Sequence, residues 1–265
     1  MSSLPMYFPA GFSLDQARLC ATLVNQAYGQ YRQWVAQGKP DHLQQFRWTP
    51  PAMSGWRFSS PVWSVLSDLH FLNESEPFGF ACRDDAGAVY LVLRGTESAH
   101  DWLDDLDGDQ EQWPWQDGRG RVHAGFLKLY RSLRDRALAA LDGLQPGGRL
   151  WVSGHSLGSA LSTMAVLDLG ECWPHQPLQH YNFASPRLAA PEFTDSYDRL
   201  GIPTFRVVND SDLVPEVPPG VIGDLLYQHV GVAVTFTASY AGVADNHSME
   251  DCYLYALEHP QAPMR

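Results

Sequence analysis

Gly154-His155-Ser156-Leu157-Gly158 is the stretch of this chain best suited to nucleophilic chemistry. A serine hydroxyl attacks a carbonyl when the backbone presents it beside a base, facing N–H groups that can receive negative charge. Residues 149–152 before it read as a short buried strand. Residues 159–169 after it read as a helix, with the small residues Ala160 and Ala165 where it must lie close to a sheet. A strand that reverses into a helix this quickly holds the serine at a strained backbone angle, and the flanking glycines remove Cβ atoms that would collide. Ser156 then stands at a helix N-terminus, where free amides and the dipole favour an oxyanion. Gly-x-Ser-x-Gly alone is a weak signal; the strand before and the helix after supply the context it needs.

The serine needs a base for its proton, and the base needs a carboxylate to fix its tautomer. In known enzymes that carry a serine on such a turn, the acid and then the base follow it in the chain, in loops after strands. Asn209-Asp210-Ser211-Asp212 closes a strand pattern over residues 204–208 and brings two acids to the carboxyl edge of a sheet. Position admits both Asp210 and Asp212, and either could equally cap a turn. Among the later histidines, His175 lies in a loop among prolines, His180 begins a strand, and His259 is near the end of the chain. His229 falls inside a strand pattern over 227–236, where packing or hydrogen bonding is the expected role. His247, in Ala244-Asp245-Asn246-His247-Ser248, stands where the last helix begins, and from a loop there its imidazole can reach a site. It is the favoured base. No His, Cys or Glu grouping has metal-ligand spacing, so neither metal nor cofactor is expected.

The elements that must position these groups follow from periodicity. Residues 14–37 carry Ala17, Ala21, Val24, Tyr28, Tyr31 and Val35 at helical spacing, an amphipathic helix packing on the domain. Residues 39–61, rich in Pro, Trp and Ser, read as a covering loop, and 63–72 as a loose strand. Residues 78–83 and 89–94 flank Asp84-Asp85-Ala86-Gly87 as a β-hairpin. In the next segment Ala99, Trp102, Leu103 and Leu106 share one helical face, and Glu97, Asp101, Asp104 and Asp105 the other. Such a helix beside a site is either a lid over an apolar cleft or an ordinary surface helix, and periodicity does not choose. Residues 126–141 read as a helix, 180–184, 204–208 and 227–236 as strands, and 248–258 as a closing helix. Strands alternating with helices after residue 123 imply an α/β fold with a mostly parallel central sheet flanked by helices. One domain over 1–265 is the simplest organisation, with 1–60 as a helical and loop extension.

A chain of 265 residues with 45% hydrophobic content can bury a sizeable core. Its 18 Lys and Arg against 30 Asp and Glu give a net charge of -12, without a basic cluster. Nucleic acid and anionic membranes are therefore poor partners, while neutral esters are unaffected. No stretch approaches the ~20 apolar residues of a transmembrane segment. Cys20, Cys82, Cys172 and Cys252 are far apart and read as buried free thiols of a reducing compartment. With no leader evident over residues 1–12, the expectation is a cytoplasmic protein of bacterial type. Oligomeric state is not encoded in any of this.

Seven separated pieces, in order, resemble the fungal-type, or class 3, lipase family of the α/β-hydrolase fold. They are Arg94-Gly95-Thr96, residues 122–126, Gly154-His155-Ser156-Leu157-Gly158, Asn182-Phe183-Ala184-Ser185-Pro186-Arg187, residues 209–215, Tyr227-Gln228-His229-Val230-Gly231 and His247-Ser248-Met249. The resemblance implies Asp212 as acid, at the last position of Asn-x-x-Asp, and His247 as base. It implies Thr96 as an oxyanion donor through its N–H and hydroxyl, Leu157 as the second backbone donor, and a lid over 97–107. The implied substrates are carboxylic esters, acylglycerols first, met at a lipid–water interface. A phospholipase A1 and a short-chain or feruloyl esterase are the alternatives, and a non-catalytic lipid-binding protein the remote one. The chain departs from the family in having Ala184 where glycine is usual, a change expected to alter packing only. The stretch between Asp212 and His247 looks short, so one loop bordering the acyl groove is trimmed. Fungal members are secreted and disulfide-bonded, features this sequence does not display.

Overall fold

The computed structural model describes residues 6–66, 72–96 and 108–260. The lid expected over 97–107 lies outside them, as does part of the strand expected over 63–72. The strands in chain order are β1 (Arg57–Phe58), β2 (Val62–Val65), β3 (Ser75–Arg83), β4 (Val89–Leu93), β5 (Gln110–Gln112) and β6 (Arg121–His123). They continue as β7 (Leu150–His155), β8 (Leu178–Phe183), β9 (Thr204–Asn209), β10 (Val221–Ile222), β11 (Leu225–Leu226) and β12 (Val232–Phe236). The helices are α1 (Leu14–Ala36), α2 (Ala124–Leu144), α3 (Leu157–Cys172), α4 (Pro191–Asp198), α5 (Val243–His247) and α6 (Tyr255–Glu258).

Eight strands form one sheet in the order β1-β3-β4-β7-β8-β9-β12, with β2 paired to β3 off that path. From β4 to β12 every neighbouring pair is parallel, while β3 and β4 form the expected antiparallel hairpin. Alternation along the strands divides the core. Val89, Leu91 and Leu93 of β4 join the side chains of α2 and α3 on one face. Tyr90 and Val92 join those of α1 and the C-terminal helical segment on the other.

On α1 the small residues Ala17, Ala21 and Ala27 are fully buried and let the helix lie close on the sheet. Its N-terminus is capped by Ser13, whose side chain accepts from the Gln16 amide. Every residue of α3 from Leu157 to Leu169 is buried, as a helix apolar all round must be. Its Ser159, Ser162 and Thr163 hydroxyls are spent on backbone carbonyls. At its far end Asp168 accepts from Tyr130 at 2.9 Å and from Arg134 at 2.6 and 2.9 Å, tying α2 to α3.

Several expectations change. The strand expected over 227–236 is only β12, because residues 227–231 cross as a loop that turns at Gly231, φ 68. His229 is therefore not a strand residue. The closing helix is divided: α5 ends at His247, Ser248 caps a wider helical turn over Met249–Leu254, and α6 follows. The covering loop over 39–61 contributes β1, in register with Arg83 and Cys82. All four cysteines are free, Cys20, Cys82 and Cys252 buried and Cys172 exposed.

Candidate active site

Ser156 is the single residue between β7 and α3, at φ 58 and ψ -129. Few non-glycine residues tolerate this conformation, and it persists where the surroundings over-determine it. A Cβ on Gly154 would strike the backbone of Gly158 and Ser159, and one on Gly158 the backbone of Leu93 and Arg94. Both glycines are thus demanded by close packing. The Ser156 amide donates to Phe183 at 3.0 Å, fixing the turn to β8. Leu157 opens α3, so its N–H has no acceptor within the helix.

On the other arm of the site, His247 and Asp212 are both buried. His247 Nδ1 lies 2.8 Å from Asp212 Oδ2. The Tyr253 hydroxyl donates to the same oxygen at 2.7 Å, and the Val214 amide to Oδ1 at 3.0 Å. A carboxylate can only accept these bonds, so Nδ1 carries the imidazole proton and Nε2 presents a lone pair. Burial and the neighbouring Asp212 push the Tyr253 phenol well above its usual pKa, which keeps it a donor. Asn209 shapes the acid loop. Its Oδ1 accepts from Ser211 and Ala238, its carbonyl from the Asp212 amide, and its Nδ2 donates to the Asn246 carbonyl one residue before His247. Ser156 Oγ and His247 Nε2, the two atoms between which a proton would have to move, are buried without hydrogen-bond partners among the described residues. Such bonds are often long before substrate binds.

The remaining candidates lie elsewhere. Asp210 is exposed and accepts from Thr237 at 3.1 Å. His175 is exposed in its loop. His180 is enclosed, with Nε2 2.8 Å from Ser162 Oγ and Nδ1 2.8 Å from the Tyr197 hydroxyl. Burial lowers its pKa to about 3. His229 donates to the Pro215 carbonyl at 3.0 Å, and burial beside Arg206 and Arg187 lowers it to about 3 as well. His259 turns back on Tyr255 of its own helix.

Thr96 follows β4 and lines a cavity of about 260 Å³ together with His155, His247, Glu250 and, from α1, Tyr28 and Arg32. The Tyr28 hydroxyl lies 2.7 Å from His155 Nδ1 and accepts from the Gly95 amide at 3.0 Å. The His155 and His247 rings lie 4.6 Å apart, and burial, then His247, hold the pKa of His155 well below its usual value. Tyr28, His155 and Tyr253 are the site residues that sequence reasoning missed. Tyr28 was legible only as one of the apolar positions of α1, and Tyr253 only as a residue of the closing helix. Ala184 alters more than packing: it stands at φ 50, a conformation glycine takes without strain.

A family model, that of the class 3 lipases, matches residues 90–222. The chain belongs to the class 3 lipase family. It is 34% identical over 148 residues to a lipase of Rhizomucor miehei, covering 54% of this chain and 40% of the relative. A Rhizopus niveus lipase is 31% identical over 208 residues, covering 76% and 49%. A rice phospholipase A1 is 27% identical over 221 residues, covering 68% and 50%. The chain therefore spans about half or less of the length of these relatives. The crystallised Rhizomucor miehei lipase–propeptide complex superposes with a TM-score of 0.67 at 25% identity, covering 87% of this chain and 70% of that one. The architecture is the α/β-hydrolase fold.

These relatives correct the expected compartment. A Fusarium solani relative, 28% identical over 144 residues, is a secreted mono- and diacylglycerol lipase, and the Rhizomucor enzyme is accompanied by a propeptide. Both point to an extracellular protein rather than a cytoplasmic one. Free thiols and an acidic surface suit either compartment, so neither feature could decide it. No helix among the described residues is long and apolar enough to cross a membrane.

Proposed function

We propose that this chain is a serine carboxylic-ester hydrolase of lipase type. Ser156 attacks the ester carbonyl while His247 Nε2 takes its proton and passes it to the departing alcohol. Asp212 holds the imidazole in the required tautomer and stabilises its charged form. The Leu157 and Thr96 amides receive the oxyanion, and a water activated by His247 releases the acyl group. The single observation that carries this reading is the buried 2.8 Å contact of His247 Nδ1 with Asp212, which leaves Nε2 free as a base. Residues 97–107, between Thr96 and β5, are the proposed lid.

Neutral acylglycerol is the proposed substrate class. The net charge of -12 opposes adsorption to anionic phospholipid and leaves neutral lipid unaffected. A solved Rhizomucor miehei neighbour, 25% identical, is a triacylglyceride lipase, which supports the same choice. The test is the hydrolysis rate of tributyrin across its solubility limit, with Ser156→Ala as control. A sharp rise once droplets form, absent in the variant, is the expected result. Saturation below the limit would make the protein a soluble esterase. A Ser156→Ala variant as active as the wild type would overturn the mechanism.

A further inference from the structure

The carbonyl of Gly95 and the amide of Thr96 belong to one peptide unit. That unit is planar and trans, so its two ends point in opposite directions. Whatever fixes the Gly95 oxygen therefore aims the Thr96 N–H. Arg94 Nη1 donates to that oxygen at 2.6 Å. The guanidinium is buried and has little freedom: Nε donates to the Pro77 carbonyl at 2.8 Å and Nη2 to Glu76 Oε1 at 2.8 Å. Its Cζ lies 3.9 Å from the centre of the Tyr31 ring and 4.7 Å from that of Phe78.

The other side of Gly95 is held from α1. Its N–H donates to the Tyr28 hydroxyl, which also lies 2.7 Å from His155 Nδ1. The His155 ring in turn lies 4.6 Å from that of His247. A Cβ on Gly95 would stand 2.7 Å from Ser156 Cβ, 2.8 Å from the Tyr28 oxygen and 2.9 Å from the His155 carbonyl. The strip carrying Thr96 thus passes directly over the nucleophile, pinned on both sides.

We infer that Tyr28 and Arg94 are positioning residues that aim the Thr96 N–H at the developing oxyanion. Tyr28, through His155, also sets the oxyanion strip, the nucleophile turn and the base in mutual register. The inference rests on the oxyanion role proposed for Thr96. It makes the N-terminal helix, which carries no motif, part of the catalytic apparatus.

Tyr28→Phe tests it, since the ring stays and only the hydroxyl goes. Removing an oxyanion donor outright costs roughly 10²–10³-fold in kcat, and misaiming one should cost about 10–100-fold. The expected result on a soluble butyrate ester is that loss in kcat with KM within about twofold, and an equal loss in affinity for an alkyl boronic acid that mimics the tetrahedral adduct. Tyr130→Phe removes an equally buried hydroxyl bond remote from the site, and should lower the melting temperature while leaving kcat and boronate affinity unchanged. A Tyr28→Phe variant with wild-type kcat, or one whose kcat falls while boronate affinity does not, overturns the inference and leaves the lipase reading standing. A wild type that neither hydrolyses esters nor binds the boronate overturns both.

Discussion

His180 gives the stability of this protein a pH dependence that can be worked out in advance. The imidazole is fully buried between Ser162 and Tyr197, and burial lowers its pKa from about 6.5 to about 3. In the unfolded chain it protonates near pH 6.5, while in the native protein it stays neutral until about pH 3. The unfolded state therefore binds the extra proton, and stability is full above pH 6.5 and lost as the pH falls towards 3. At pH 5.0, one and a half units below the unfolded pKa, the loss is about 2 kcal/mol, and at pH 7.5 it is below about 0.1 kcal/mol. Other groups titrate over the same range; Glu171 and Asp198, raised by burial, act in the opposite sense. A difference measurement removes them. Urea unfolding of the wild type and of His180→Gln, at half-unit steps from pH 5.0 to 7.5, should show the variant less stable at pH 7.5. That gap should narrow by about 2 kcal/mol by pH 5.0. A gap constant across the range would mean that His180 titrates alike in both states, and the reasoning from burial would fail.

Asp212→Asn should lower kcat by about 10⁴-fold, the loss known when a triad acid is neutralised. Asp210→Asn should stay within about twofold, and steady-state kinetics on a soluble ester would separate the two. Arg134→Met leaves the buried Asp168 with the Tyr130 hydroxyl and the Cys172 thiol but no cation, and breaking such a pair costs about 3–5 kcal/mol; chemical denaturation should show that loss with kcat unchanged. Ala184→Gly relieves a left-handed alanine, worth roughly 1–2 kcal/mol, and forfeits a buried methyl worth about 0.8 kcal/mol. Calorimetry should find a melting temperature equal to or a few degrees above the wild type, and a clear fall would show that the methyl outweighs the strain.

What the sequence made legible was whatever a backbone demands. Gly154 and Gly158 have no room for a side chain, Asn209 is needed to shape a turn, and strand alternation divides two cores; each leaves a residue type at a fixed spacing. The hairpin of β3 and β4, the parallel strands and the Ser156 turn could be read for that reason. The choice between Asp210 and Asp212 could not be made from position alone, because one residue along an irregular loop decides which carboxylate is buried. Tyr28 and Tyr253 were invisible for a different reason. Each occupies a packing position of a helix, where an aromatic ring needs no further explanation, and only the fold brings its hydroxyl to the site. His229 misled because its neighbours alternate like a strand until Gly231 turns the chain.

The site is built from the carboxyl ends of strands that share one edge. β4 runs into Gly95 and Thr96, β7 into Ser156 and β9 into the Asp212 loop, and the sheet order separates β7 from β9 by β8 alone. Parallel neighbours lie about 4.8 Å apart, so the nucleophile strand and the acid strand are about 10 Å apart. A carboxylate cannot reach a serine over that gap, whereas an imidazole held by the carboxylate at one nitrogen extends the other towards it. The base must therefore arrive from outside those three strands, and it does so after β12, at the end of α5. An imidazole suspended over a gap needs walls. Tyr253, bonded to the Asp212 oxygen that His247 also contacts, forms one; His155, 4.6 Å from the His247 ring and tied through Tyr28 to α1, forms another. Both supports lie towards the face covered by α1 and the C-terminal helical segment, opposite α3, so the two arms of the site are held by different layers of the fold.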